Sequence, residues 1–136
     1  MAGRLMRPGR SERGSVSAFV VALMGAFVAC AALAVDGGRL VATYVEMSDH
    51  AGNAARRGVQ EVTSLRSGDP IVDGDRARRA ARTYLAHNNL QGDVVTEERA
   101  VTVSVTTSVT MTMLGIIGVS DRTVTVRRTA IPITEP

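Results

Sequence analysis

The spacing of apolar residues divides the chain into three parts. Residues 14–35 contain no charged side chain over 22 positions, and from residue 36 the apolar positions recur at steps of three and four. From residue 100 they alternate at every second position. At a rise of about 1.5 Å per residue, the first run makes a helix roughly 30 Å long, which matches the hydrocarbon core of a bilayer. The pattern therefore predicts a membrane-spanning helix, an amphipathic helical region and a β-rich tail.

The first amphipathic helix is predicted over residues 35–62, as a direct continuation of the apolar run. Its apolar stripe consists of Leu40, Tyr44, Met47, Ala51, Ala54 and Gly58. The two segments together predict one helical rod of nearly fifty residues. Asp36 and Arg39 lie three residues apart where this rod leaves the membrane, so they can form an ion pair. Alternatively, the two charges are solvated at the interface, and their pairing contributes less than about 1 kcal/mol.

A second, shorter helix is predicted after a turn cluster at residues 67–70. Asp73 can cap this helix, which runs from about Gly74 to His87. Its apolar face is formed by Ala77, Ala80, Ala81, Tyr84 and Leu85.

The tail predicts a small antiparallel sheet, which makes the fold class α+β. One strand begins at residue 100, with its alternation reaching Met113, and a second covers residues 122–131. A third, short strand is predicted over residues 92–98, because two strands alone seldom hold together in water. We expect the stripe of the first helix to cover one face of the sheet and water to cover the other.

An apolar loop separates the two longer strands. Residues 114–119, called the apolar loop below, carry four large apolar side chains between glycines, namely Leu114, Ile116, Ile117 and Val119. These side chains are too few to span a membrane and are costly to expose to water. The loop is therefore expected either to pack under the sheet or to contact lipid or a partner subunit.

Positive charge is concentrated at the amino terminus. Four arginines and Glu12 give +3 before residue 14, whereas twelve arginines and twelve carboxylates from residue 36 onward sum to zero, which accounts for the net charge of +3. The neutral distal part has no excess charge to neutralise a phosphate backbone, so nucleic acid is set aside as a partner. The positive-inside rule places the amino terminus in the cytoplasm and the C-terminal part on the far side of the membrane.

Small residues in the apolar run form one ridge that lets a second membrane helix approach closely. The ridge consists of Ala18, Ala22, Gly25, Ala26 and Ala29, with Cys30 beside them. The alternative is that an alanine-rich segment produces this spacing by chance.

The run also offers a competing interpretation as a cleaved secretory signal. Residues 32–34 (ALA) have the small-x-small pattern of a signal peptidase site, so cleavage after Ala34 would release a small secreted binding module. The length of the apolar run, Asp36 close behind the site and the continuing helical periodicity all favour retention in the membrane.

The sequence offers no catalytic centre. Glu46 and His50 lie one helical turn apart, but no third metal ligand is indicated. Cys30 is the only cysteine, which excludes a disulfide framework and a multi-cysteine metal site. No P-loop, nucleophile elbow or dinucleotide fingerprint is present, so no cofactor or small-molecule substrate is implied. A small hydrolase that uses Glu46 or His50 remains a further hypothesis.

The order of segments resembles the TadE/TadG-like proteins of tight-adherence (Flp) pilus systems. The features that carry the resemblance are a basic leader, residues 13–16 (RGSV), the apolar run and the exit segment at residues 34–40 (AVDGGRL). Within that exit segment, Asp36, Gly38 and Arg39 match the family pattern Asp-x-Gly-Arg. The resemblance implies a pilin-like fold, a membrane location and no enzymatic activity. It also implies other pilus assembly subunits as partners, namely pseudopilins and a membrane platform, with a cytoplasmic ATPase as the energy source.

One residue departs from the processed members of that family. A prepilin peptidase would cut between Gly14 and Ser15, and the fifth residue of the product would then be Phe19 instead of the family's glutamate. Phenylalanine cannot neutralise the amino terminus of a neighbouring subunit. The chain therefore looks closer to TadG-like members, which keep their amino terminus and act as membrane-anchored accessory components.

The resulting organisation has four parts. Residues 1–13 are predicted as a basic cytoplasmic leader, 14–35 as the transmembrane helix, 36–66 as the membrane-exit amphipathic helix and 67–136 as a small extracytoplasmic α+β domain. The lipid bilayer is accordingly the first expected partner.

Overall fold

A single long helix, α1 (Arg13–Val59), dominates the fold. The computed structural model describes residues 13–63 and 71–133, so the predicted leader up to residue 12 and the turn at residues 67–70 lie outside the described residues. Helix α1 runs for 47 residues without interruption, which confirms the predicted rod. The first part of α1 is exposed along its whole apolar surface, and it is long and apolar enough to cross a membrane.

The remaining elements form a small α+β domain. Strands β1 (Val62–Thr63) and β2 (Ile71–Val72) pair with each other, and helix α2 (Gly74–His87) follows. Strands β3 (Gly92–Glu97), β4 (Ala100–Val109) and β5 (Arg122–Ala130) form the main sheet, and a 3-10 turn (Leu114–Ile117) lies between β4 and β5. Helix α2 has its predicted bounds, and the backbone N–H of Arg76 donates to the side chain of Asp73, as predicted for the cap.

The main sheet is antiparallel throughout, with β4 between β3 and β5. Val94 lies opposite Val103, and Val105 lies opposite Val126, so the alternating valines share one face. The three predicted strands are confirmed, but β4 ends at Val109 and does not extend to Met113. The two-residue pair β1 and β2 was not predicted.

The core lies between α1, α2 and the inner face of this sheet. Its buried side chains come from the second half of α1, from one face of α2 and from β4 and β5. They include Met47, Ala51, Ala54 and Ala55 of α1, Ala77, Ala81 and Leu85 of α2, and Val101, Val103, Val105 and Val126 of the sheet. Within the predicted stripe Tyr44 is the exception, because 46% of its surface is exposed. The prediction that α1 covers one face of the sheet is confirmed.

The other face of the sheet is lined by hydroxyl side chains. Thr102 and Thr129 lie 2.8 Å apart between their Oγ1 atoms, and Thr106 and Thr125 lie 3.1 Å apart, across neighbouring strands. Such cross-strand hydroxyl pairs suit a solvated face. The sheet therefore has one apolar and one polar face, which follows from the alternation of valine with threonine and serine.

Candidate functional site

The candidate site lies where α1 passes from its exposed apolar half to its packed half, and its central residue is Asp36. The Asp36 side chain is buried, with 1% of its surface exposed. Its carboxylate accepts three backbone N–H groups, from Thr112 at 3.1 Å, Met113 at 3.0 Å and Leu114 at 2.7 Å. These donors lie 76 to 78 residues further along the chain. One carboxylate thus fixes the apolar loop to the helix.

Two of these N–H groups, those of Met113 and Leu114, stand at the amino end of the 3-10 turn, and that of Thr112 directly precedes it. The first N–H groups of any helical turn have no acceptor within the turn, and a carboxylate is well suited to accept them. At the other end, the N–H of Gly118 donates to the carbonyl of Gly115 at 3.0 Å, and the N–H of Val119 donates to that of Leu114 at 3.1 Å. Gly118 has a φ of +88°, a conformation that glycine adopts without strain. Asp36 and Gly118 therefore close the two ends of the turn.

Arg39 also contacts the chain just before this turn. Its guanidinium donates to the Oγ1 atom of Thr112, the residue whose backbone N–H binds Asp36. The direct Asp36–Arg39 ion pair predicted from the sequence is wrong, because the nearest contacts of both residues are with residues 112–114. The interpretation of a solvated pair is also wrong for Asp36, which is buried. The charge of Arg39 still acts on Asp36 at longer range and favours its ionised form.

The hydrogen bonds lower the pKa of Asp36. The Leu114 N–H contributes most to this shift, the Thr112 and Met113 N–H groups and the Arg39 charge act in the same direction, and burial opposes them. A lowered pKa means that the ionised carboxylate stabilises the folded form above the usual value of 3.8, and that this contribution is lost only as the pH falls through the lower value.

We therefore expect the apolar loop to stay bound to α1 down to pH 3.8 and to be released only below it. Carboxyl-carbon NMR of the full chain in micelles measures this directly, and Asp36 should titrate with a midpoint below 3.8. The amide resonances of residues 112–114 should follow the same curve. A midpoint above 3.8, or amide shifts unrelated to the Asp36 titration, would contradict the assigned contact.

An apolar groove of about 380 Å³ lies between the apolar loop and the exposed apolar part of α1. On the helix side it is lined by Gly25, Val28, Ala29, Ala31, Ala32 and Val35. On the loop side it is lined by Met113, Leu114, Ile116 and Ile117. Every lining residue is apolar. The structure thus brings the predicted loop residues against the predicted span, a placement that the sequence pattern did not indicate.

Only part of the apolar loop packs against the core, so the expectation that the loop packs under the sheet holds for two of its four large apolar side chains. Leu114 and Val119 are half-buried against the core, whereas Ile116 and Ile117 are 82% and 73% exposed. The reason is the anchoring of the turn by Asp36, which holds the loop beside the helix and beyond the end of the sheet. The remaining expectation, contact with lipid or a partner subunit, stays open.

The predicted small-residue ridge lies on the exposed surface of α1. Ala18, Ala22 and Ala26 are exposed, and Gly25 and Ala29 line the groove. Gly14, Ser15 and Phe19, proposed around a cleavage position, lie in the first turns of α1, where Ser15 and Phe19 are exposed. Gly38 of the exit segment is exposed, and a side chain there would meet open space, so the structure gives this glycine no role.

The candidate acid–base pair is not assembled into a site. His50 Nδ1 lies 3.2 Å from the Tyr84 hydroxyl, so the histidine joins the contact between α1 and α2. Within residues 13–63 and 71–133 no group of three potential metal ligands comes together. Sequence reasoning missed a different polar contact, in which Arg128 of β5 donates from Nε at 2.9 Å and from Nη2 at 2.6 Å to the buried Ser48 Oγ of α1.

No family model, no curated protein and no solved structure matches this chain. The candidate site itself combines an exposed apolar helix, a carboxylate that binds the apolar loop and the groove between the helix and the loop.

Proposed function

We propose that this chain is a non-enzymatic, single-pass membrane protein that serves as a pseudopilin-like or accessory component of tight-adherence (Flp) pilus assembly. The observation that carries the proposal is the division of α1 into two halves with opposite surroundings. Its first half is apolar and exposed, and its second half is packed on the sheet. A helix of 47 residues is about 70 Å long, which is enough to cross a bilayer and support a domain beyond it.

The exit segment supports the same proposal. The family pattern Asp-x-Gly-Arg would have little meaning if its charged residues were merely solvated at the interface. Instead, Asp36 and Arg39 both contact residues 112–114, so the segment joins the end of the span to the distal domain. In this proposal the amino terminus is cytoplasmic and the domain is extracytoplasmic, as the leader arginines indicate.

The mechanism would be packing between subunits. Lipid offers no hydrophobic driving force between helices, so close approach of small residues is what stabilises their association. Ala18, Ala22 and Ala26 of the ridge are exposed and lie outside the groove, so they provide such a surface on α1. Energy for assembly would come from the cytoplasmic ATPase that the family resemblance implies.

We expect Ala22→Leu to reduce both piliation and recovery of partner subunits severalfold when it replaces the wild-type gene in a bacterium that encodes this chain. Leucine keeps the span apolar but prevents the close helix approach. Val21→Leu is the matched control, since Val21 is an exposed neighbour outside the ridge. Electron microscopy counts surface pili, and detergent co-purification measures the partners. Normal piliation after deletion of the gene would overturn the proposal, and equal effects of the two variants would overturn the packing mechanism.

The alternative of a secreted binding module predicts a different amino terminus for the mature protein. Signal peptidase cleavage would give a product that begins at Val35 in the medium, whereas prepilin processing would give a membrane product that begins at Ser15. Intact mass of the membrane and medium fractions separates these from the anchored, full-length chain that we propose.

A further inference from the structure

The apolar loop lies against the part of α1 that a bilayer would surround. The groove extends along the helix from Val35 back to Gly25, which is eleven residues before Asp36. Eleven residues of helix cover about 16 Å, close to the thickness of one hydrocarbon leaflet, which is half of about 30 Å. Ile116 and Ile117 line this groove and are 82% and 73% exposed. Such side chains are costly in water and favourable in hydrocarbon.

Most backbone N–H groups of the loop are hydrogen-bonded within the protein, which lowers the cost of placing the loop in hydrocarbon. A polypeptide segment in lipid must satisfy its backbone polar groups internally, because no water is available. The N–H groups of residues 112–114 donate to Asp36, and those of Gly118 and Val119 donate to carbonyls of the turn itself. The N–H of Ile116 donates to the carbonyl of Met113 at 3.4 Å. The loop thus combines exposed apolar side chains with internally bonded amides.

We propose that the apolar loop enters the membrane leaflet on the side of the C-terminal domain, where lipid acyl chains fill the groove between the loop and α1. This inference rests on the proposed membrane span. The groove is continuous with the exposed apolar surface of α1, so whatever surrounds the span also reaches the groove. No polar side chain lines the groove, and acyl chains are therefore the occupant whose chemistry fits it. The domain would then contact the membrane at two places, the span and the apolar loop, and the loop contact would fix the rotation of the domain about the axis of α1.

The test uses single tryptophans, since the chain has none of its own. Ile116→Trp reports on the loop, Phe27→Trp on the span, and Ile133→Trp on an exposed position after β5, the strand that runs away from the apolar loop. Each full-length variant is reconstituted into phosphatidylcholine vesicles with or without bromine on the acyl chains. We expect bromine to quench Ile116→Trp at least half as strongly as Phe27→Trp, and to leave Ile133→Trp unquenched.

The remaining outcomes separate this inference from the span on which it rests. If bromine quenches Phe27→Trp but does not quench Ile116→Trp, and the emission of Ile116→Trp is red-shifted, the span is supported and loop insertion is overturned. A blue-shifted but unquenched Ile116→Trp shows that protein, such as a second copy of the chain, covers the loop, and this also overturns the proposal. Absence of quenching in Phe27→Trp overturns the span and the insertion together. Strong quenching of Ile133→Trp overturns an insertion confined to the loop.

Discussion

Replacing Asp36 with alanine is expected to release the apolar loop from α1 while leaving the helix itself intact. The substitution leaves the N–H groups of Thr112, Met113 and Leu114 without their common acceptor, a carboxylate that is itself buried. Alanine has a higher helix propensity than aspartate, so the substitution by itself stabilises α1. Release of the loop therefore cannot result from a weakened helix. We expect amide hydrogen exchange at residues 112–114 to accelerate about tenfold or more, since hydrogen bonds to charged groups are among the stronger ones.

The matched control for this substitution is Asp49→Ala. Asp49 is an exposed carboxylate on the same helix, so its removal changes the net charge equally without touching the loop. Hydrogen exchange followed by mass spectrometry on full-length protein in micelles compares the two variants residue by residue. Equal exchange in Asp36→Ala and wild type would show that the loop holds its position without the carboxylate, and the assigned role of Asp36 would be wrong.

The expected consequence for the membrane follows from the same contacts. Once the amides lose Asp36, the loop carries unsatisfied backbone donors, and its entry into hydrocarbon becomes unfavourable. Combining Asp36→Ala with Ile116→Trp should therefore weaken quenching by brominated lipid, whereas Asp49→Ala combined with Ile116→Trp should not. That result would show that the carboxylate couples the proposed span to the proposed insertion of the loop.

The elements of the fold were predictable where a local signal sets them. Asp73 and the apolar face of α2 determine where that helix begins, and the alternation of valine with threonine determines β4 and β5. The continuous helical period through residue 36 likewise predicted α1. Each of these signals lies within a few residues of the element that it defines, which is why the predicted bounds and the observed ones differ little.

The candidate site was only half predictable, because its two parts are far apart in the sequence. The exit segment with Asp36 and the apolar loop were each identified, but nothing in their local pattern indicates that they meet. Spacing on the helix favoured Arg39 as the partner of Asp36, since residues three apart are neighbours on a helix. Asp36 instead accepts hydrogen bonds from the backbone N–H groups of residues 112–114. Only the tertiary fold brings these groups close to Asp36. Ser48 and Arg128 were missed for the same reason.

Replacing Gly58 with alanine is expected to destabilise the domain, although the same change at Gly52 should stabilise it. Gly58 is buried where α1, α2 and β4 meet. A Cβ at this position would lie 2.9 Å from Val101 Cγ1 and 3.1 Å from the carbonyl oxygen of Ala77, both closer than normal packing allows. Val101 and Ala77 are fully buried, so neither can move away without disturbing the core. Overpacking of this kind typically costs about 1–3 kcal/mol.

Gly52 provides the matched control on the same helix. A Cβ there would meet no atom within 4 Å, so alanine brings only its better helix propensity, about 0.5–1 kcal/mol. Urea unfolding of the full chain in micelles should therefore give opposite signs, with Gly58→Ala less stable by about 1 kcal/mol when mid-range values of the overpacking cost and the propensity gain are combined. A stabilising Gly58→Ala would mean that α1 sits further from β4 than the structure places it.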